Sequence, residues 1–182
     1  MKLRWLDPAD ARAYRTLRLQ ALLESPTAFS ASPADEAGRS LDEVAARITP
    51  AADGSRGVLG AFEQQALVGF LAVLHPQREK LRHGIELAGV YVDPAFRRRG
   101  CGRLLLQAAI AHAASIAGVR QLRLGVTATN RAARTLYESL GFVSYGVQSE
   151  ALQVDGRFHD EVHYLLRLDR AEAVTDRAAP AR

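Results

Sequence analysis

The chain holds one cysteine, one methionine and one tryptophan among 182 residues. A lone Cys101 excludes an internal disulfide, a redox Cys-x-x-Cys pair and a zinc site built on paired cysteines. Long apolar runs are also missing. No stretch of about 18 uncharged apolar residues occurs, and the N-terminal "MKLRWLDPAD" turns polar before a signal-peptide core could form. A soluble, cytoplasmic protein without a membrane partner is therefore expected. The lysine and Ser/Thr of a Walker A loop, the full GxGxxG pattern and a GxSxG elbow are absent too, which argues against nucleoside triphosphates, NAD and serine-hydrolase chemistry.

What is present suits one good core. Apolar residues make up 48% of the chain and charged residues 24%, so a single domain over residues 1–168 is expected. The tail 169–182, "DRAEAVTDRAAPAR", has too little apolar content to pack and is expected to fray. Asp7-Pro8 followed by Ala11, Tyr14, Leu17, Ala21 and Leu22 at helical spacing predicts a first helix over 8–24. "ESPTAFSASPADEAGRS" reads as a loop, and Ser40-x-x-Glu43 as the capping box of a short second helix. Two strands joined at Glu63 to Gln65 and a third, "HGIELAGVYV", follow. The period then changes from two to 3.6 through Leu104, Leu105, Ala108, Ala109, His112 and Ala113, up to Gly118. A strand "RQLRLGVTA", a helix "NRAARTLYESLG" and two strands around Asp155-Gly156 complete an α, α, β, β, β, α, β, α, β, β order.

Charge is unevenly placed. Between Arg78 and Arg103 seven bases stand against three acids, which accounts for the whole net charge of +4. That describes a local anion site and no general polyanion coat, so no nucleic-acid partner is expected. Within this window "YVDPAFRRRGCGRLLL" passes from strand to helix. Such a turn leaves backbone N–H groups unpaired, with the positive end of the helix dipole behind them. Gly100 and Gly102 let the backbone approach a bulky phosphate, and the arginines add charge at the rim.

Arg97-x-x-Gly100-x-Gly102, with "LAGVYV" before it and "LLLQAA" after it, resembles the acetyl-CoA-binding segment of the GNAT family of N-acetyltransferases, Q/R-x-x-G-x-G/A. "NRAARTLYESLGF", from Asn130 to Phe142, resembles the family's next motif, N-x-x-A-x-x-L-Y-x-x-x-G-F. The resemblance implies an α/β fold whose mixed central sheet has splayed fourth and fifth strands, here about 84–92 and 120–127. It further implies acetyl-CoA as co-substrate and no metal. The amides of Arg98, Arg99, Gly100, Cys101, Gly102 and Arg103 would hold the pyrophosphate beside Arg97. The backbone of Val90, Tyr91 and Val92 would pair with pantetheine, and Asn130 would contact the cofactor.

Acetyl transfer needs a base for the amine, a donor for the developing oxyanion and an acid for the departing thiolate. By resemblance, Tyr137 is the acid and the N–H near Val90 the oxyanion donor. The same resemblance implies Glu86 as base, since some family members carry a glutamate on this strand at this distance ahead of the glycines; partial burial is expected to raise its pKa. His159 and His163 in "HDEVH" lie roughly 13 Å apart if extended, too far to share a metal. Cys101 has no histidine partner that would make it a nucleophile. The acceptor is expected to be a small-molecule or protein amine, met by "SPTAFSASPADEAGRS" and "GVQSEALQVDGRFHD", where Asp35, Glu36, Glu150 and Asp160 could attract a cation. A homodimer is compatible with this reading. A basic interaction module and a non-catalytic acyl-CoA sensor are the alternatives.

Overall fold

A computed structural model describes residues 1–168; the tail expected to fray lies outside the described residues. Seven strands form one sheet: β1 (Lys2–Trp5), β2 (Arg56–Glu63), β3 (Ala66–Leu74), β4 (Gly84–Val92), β5 (Gln121–Thr127), β6 (Val143–Val154) and β7 (Arg157–Arg167), in the order β1-β2-β3-β4-β5-β7-β6. β4 and β5 are parallel and the other neighbours antiparallel. Five helices, α1 (Ala11–Glu24), α2 (Pro33–Ala37), α3 (Leu41–Ile48), α4 (Cys101–Ser115) and α5 (Arg131–Glu138), cover it. The fold is the mixed α/β architecture expected from the sequence, and α4 supplies the long connection that a parallel pair requires. No helix among the described residues is long and apolar enough to cross a membrane.

Both faces of the central strands are covered, which is why β2 and β3 read as nearly continuous apolar runs. Leu59, Ala61 and Leu71 join Leu105, Leu106 and Ala109 of α4 on one side. Val58, Phe62 and Phe70 join Tyr14, Leu17 and Leu22 of α1 and Val44 and Ile48 of α3 on the other.

Two elements were not legible. β1 is only four residues long and pairs with β2, too short for periodicity to reveal. α2 lies inside the stretch read as a loop; Ser32 and Asp35 form its capping box, with Asp standing where Glu or Gln is usual. The expected first helix begins as a 3₁₀ turn, Pro8–Asp10, capped by Asp7. The Ser40–Glu43 capping box opens α3, and Asp155 and Gly156, both at positive φ, turn β6 into β7.

β4 decides where the sheet opens. Its register with β3 pairs Ala72 with Ala88 and Phe70 with Tyr91, so Gly89 and Val90 together face Leu71. This is a bulge, and Gly89 takes φ +59° to make it. One extra residue exchanges the faces. Leu87 lies in the core against α4, whereas Tyr91 has moved to the α1 side and Val90 and Val92 to the α4 side. β4 pairs with β5 only from Gly84 to Glu86 against Gln121 to Arg123. Beyond that point the strands part around a cavity of about 50 Å³.

Candidate active site

The turn after β4 leaves donors unpaired because its backbone reverses twice. Asp93 accepts from Ala95 N–H, and Arg97 N–H bonds to Pro94 at 3.3 Å. The next backbone N–H to meet a backbone carbonyl among the described residues is that of Leu104, which reaches Gly100 at 3.0 Å. Among the described residues the amides of residues 98–103 are therefore unpaired at the N-terminus of α4. Arg98 at φ +60° and Gly100 at φ +81° shape this loop. Together they form an amide-lined concavity suited to an anion. Gly102 also has a packing role, since a Cβ there would sit 3.2 Å from a Leu136 methyl; glycine lets α4 close on α5.

The four arginines divide. Arg97, expected to face phosphate, is turned to α1: its Nη1 lies 2.7 Å from one oxygen of Glu24, its Nη2 lies 2.9 Å from the other, and its Nε donates to the carbonyl of Val92. The Tyr91 hydroxyl donates to the same carboxylate, and burial followed by that bond raises its pKa. This tether fixes the end of β4 against α1. Arg103 donates to Ser139 Oγ at 2.6 Å, joining α4 to the end of α5. Arg98 and Arg99 stay exposed, Arg99 lying over the Phe96 ring at 5.3 Å, and are the two placed to add charge at the rim.

Cys101 is 1% exposed and packs in the core, so only its backbone can serve an anion. Burial pushes its thiol up to about 11. At pH 8 a maleimide or disulfide reagent is expected to leave the folded protein unlabelled and to label it after unfolding, because the thiolate is the reactive form. Rapid native labelling in a thiol assay would contradict this packing.

Asn130 and Tyr137 both line the gap between β4 and β5, together with Leu87, Val90, Leu124 and Val126. Asn130 is also the N-cap of α5, its Oδ1 accepting from Ala133 N–H at 3.1 Å. Tyr137 is 5% exposed, and its ring lies 6.1 Å from those of Phe142 and Tyr164. Its hydroxyl has no hydrogen-bond partner among the described residues, and burial pushes its pKa up to about 12.

A larger cavity of about 460 Å³ opens on the α1 face of the gap. Glu86 lies on its wall but is exposed, so the expected partial burial is not seen. The same wall carries Glu161 of β7, whose carboxylate covers Gly125; a Cβ on Gly125 would fall 1.7 Å from Oε1. Opposite stand Arg18 and Arg47 beside the aromatic rings of Tyr14, Phe29 and Phe70. Sequence reasoning missed Arg18, Arg47 and Glu161. For Arg18 a signal existed: it lies four residues after Tyr14 and four before Leu22, on the buried stripe of α1. Three of the four acidic residues expected to attract a cation have other partners. Asp35 caps α2, Asp160 accepts from Glu150 N–H, and Glu36 is 1% exposed in an ion pair with Arg47 at 3.1 Å.

Residues 19–142 match the Acetyltransferase (GNAT) family, a span that includes both motifs and the parted strands. The chain belongs to the GNAT acetyltransferase family. A solved GNAT-family acetyltransferase of Streptococcus pneumoniae is 26% identical and superposes with a TM-score of 0.84 over 92% of this chain and 99% of its own. A putative acetyltransferase of Salmonella typhimurium, solved with its cofactor acetyl-CoA, is 27% identical with a TM-score of 0.78, covering 100% of this chain and 98% of its own. Among curated relatives, a mycothiol acetyltransferase of Thermobispora bispora is 33% identical over 81% of this chain and 48% of its own length. A [ribosomal protein bS18]-alanine N-acetyltransferase of Salmonella typhimurium is 52% identical over 31% of this chain and 37% of its own. This GNAT chain thus spans less than half the length of these curated relatives.

Proposed function

We propose that the protein transfers the acetyl group of acetyl-CoA to a primary amine by direct attack. One observation carries this reading: the amides of residues 98–103, unpaired among the described residues, follow the end of the strand β4 that has parted from β5, and Tyr137 lies in the resulting gap. The amides and exposed Arg98 and Arg99 suit a pyrophosphate, and the edge of β4 beyond its pairing with β5, including the backbone of Val90, Tyr91 and Val92, suits an extended amide-bearing arm, which would add to β4 as a further strand does.

The chemistry assigned to each group follows from balance. The amine nitrogen bonds to the thioester carbon, whose oxygen takes up negative charge facing the N–H at Val90. The carbon–sulfur bond then breaks, and the thiolate takes the Tyr137 hydroxyl proton. A group with a pKa near 12 holds that proton throughout the neutral range. Glu86 removes the amine proton directly or through a water, and solvent restores the tyrosine proton. Relatives whose names specify mycothiol and a ribosomal-protein alanine leave both small-molecule and protein amines as acceptors.

Thiol release measured across a panel of amines tests the reading. Amine-dependent release is expected. Stabilisation by acetyl-CoA without release from any amine would instead favour an acyl-CoA sensor, and no stabilisation at all would favour a basic interaction module.

A further inference from the structure

On the α1 side of the larger cavity a positive charge is buried with only a distant carboxylate beside it. Arg18 is 6% exposed, yet its guanidinium makes no hydrogen bond among the described residues, and its Nε is a buried donor without a partner. The nearest carboxylate, Glu36, stands 3.9 Å from that Nε and spends its close contact on Arg47 instead. Aromatic faces hold the cation: Phe29 lies 4.4 Å and Phe70 5.9 Å from its central carbon. Stacking fixes the plane of a guanidinium without satisfying its N–H donors. A desolvated cation with idle donors is costly, and the arrangement is explained if an anion completes it.

Position narrows the ligand. A Cβ on Gly89 would lie 3.3 Å from an Arg18 terminal nitrogen, so the guanidinium rests against the bulge that opens the sheet. Glycine at 89 thus serves the positive φ and makes room for Arg18. The wall carrying Arg18 and Arg47 has one acid, Glu36, against two bases, whereas the sheet wall carries Glu86 and Glu161. One small cavity therefore offers an anion site beside the gap and carboxylates across from it.

We infer that the acceptor is a small zwitterionic amine of the amino-acid type, whose carboxylate binds Arg18 while its amine faces Glu86 and Glu161. This rests on the acetyltransferase reading and deepens it. The cavity of about 460 Å³ is within the range of small-molecule sites. A protein N-terminus presents an amine without a carboxylate at that distance and leaves Arg18 unmatched.

Two measurements separate this inference from the reading beneath it. In thiol release, free amino acids are expected to exceed their carboxamides and N-terminal peptides by tenfold or more in kcat/KM. Arg18→Gln is expected to erase that preference through a roughly 10- to 100-fold rise in KM for the acids alone, the worth of one charge-assisted hydrogen bond. Calorimetric titration of the unmutated protein with N,N-dimethyl amino acids and their amides, which cannot give a stable acetylated product, reads the anion site without catalysis. It also stands if the variant fails to fold. Binding of the acid but not the amide supports the inference even if no transfer is seen. Equal binding or equal turnover of acid and amide, or better turnover of peptides, overturns it.

Discussion

Tyr137→Phe is expected to lower turnover by roughly 10²-fold, the low end for one positioned proton donor, with little change in acetyl-CoA affinity. The substitution removes one oxygen and keeps the ring contacts with Phe142 and Tyr164. The hydroxyl has no hydrogen-bond partner to lose among the described residues, so folding stability should hardly move. Turnover by thiol release and affinity by calorimetry separate the outcomes. A loss within about twofold would make Tyr137 a packing residue and leave the sulfur to be protonated by solvent.

The second large effect concerns the base. Glu86→Gln keeps the shape of the cavity wall and removes proton acceptance, so kcat/KM for a high-pKa amine near pH 7 should fall by roughly 10²-fold or more. The loss should shrink as pH rises, because more of the amine arrives deprotonated. Glu161→Gln is the necessary comparison, since both carboxylates line the same cavity. An acidic limb unchanged in Glu86→Gln but absent in Glu161→Gln would transfer the role to Glu161. Limbs unchanged in both would leave deprotonation to solvent.

Much of the turn and helix geometry on the proposed cofactor side could be read from the chain because its determinants are close in sequence. Gly100 adopts φ +81° and Cys101 starts α4, and a strand followed by glycines and an apolar helical period announces that geometry whatever surrounds it. Asn130 and Tyr137 sit at one spacing on one short helix, so their shared face follows from helical periodicity. The arginine run was legible only as charge. Nothing local to Arg97 reveals that Glu24 claims it, because the pair spans 73 residues.

The acceptor side lay beyond such reading. Glu86 was proposed through the family resemblance, but the sequence did not show that it is exposed or that Glu161 reaches the same wall from β7. Arg18 carried a warning in its place on an apolar stripe, and Gly89 another in its place inside a strand. The two warnings concern one spot, which became evident only when α1 and β4 were packed together.

From residues alone, then, followed the longer elements in their order, without β1 and α2, together with the glycine turn and the family motifs, since backbone dihedrals and helical spacing are set within a few neighbouring positions. Tertiary packing decided which arginine is free, where β4 leaves β5, and that a buried cation faces two carboxylates across one cavity. Those outcomes depend on burial and electrostatic partners contributed by distant segments, and charge alone does not say which groups will meet.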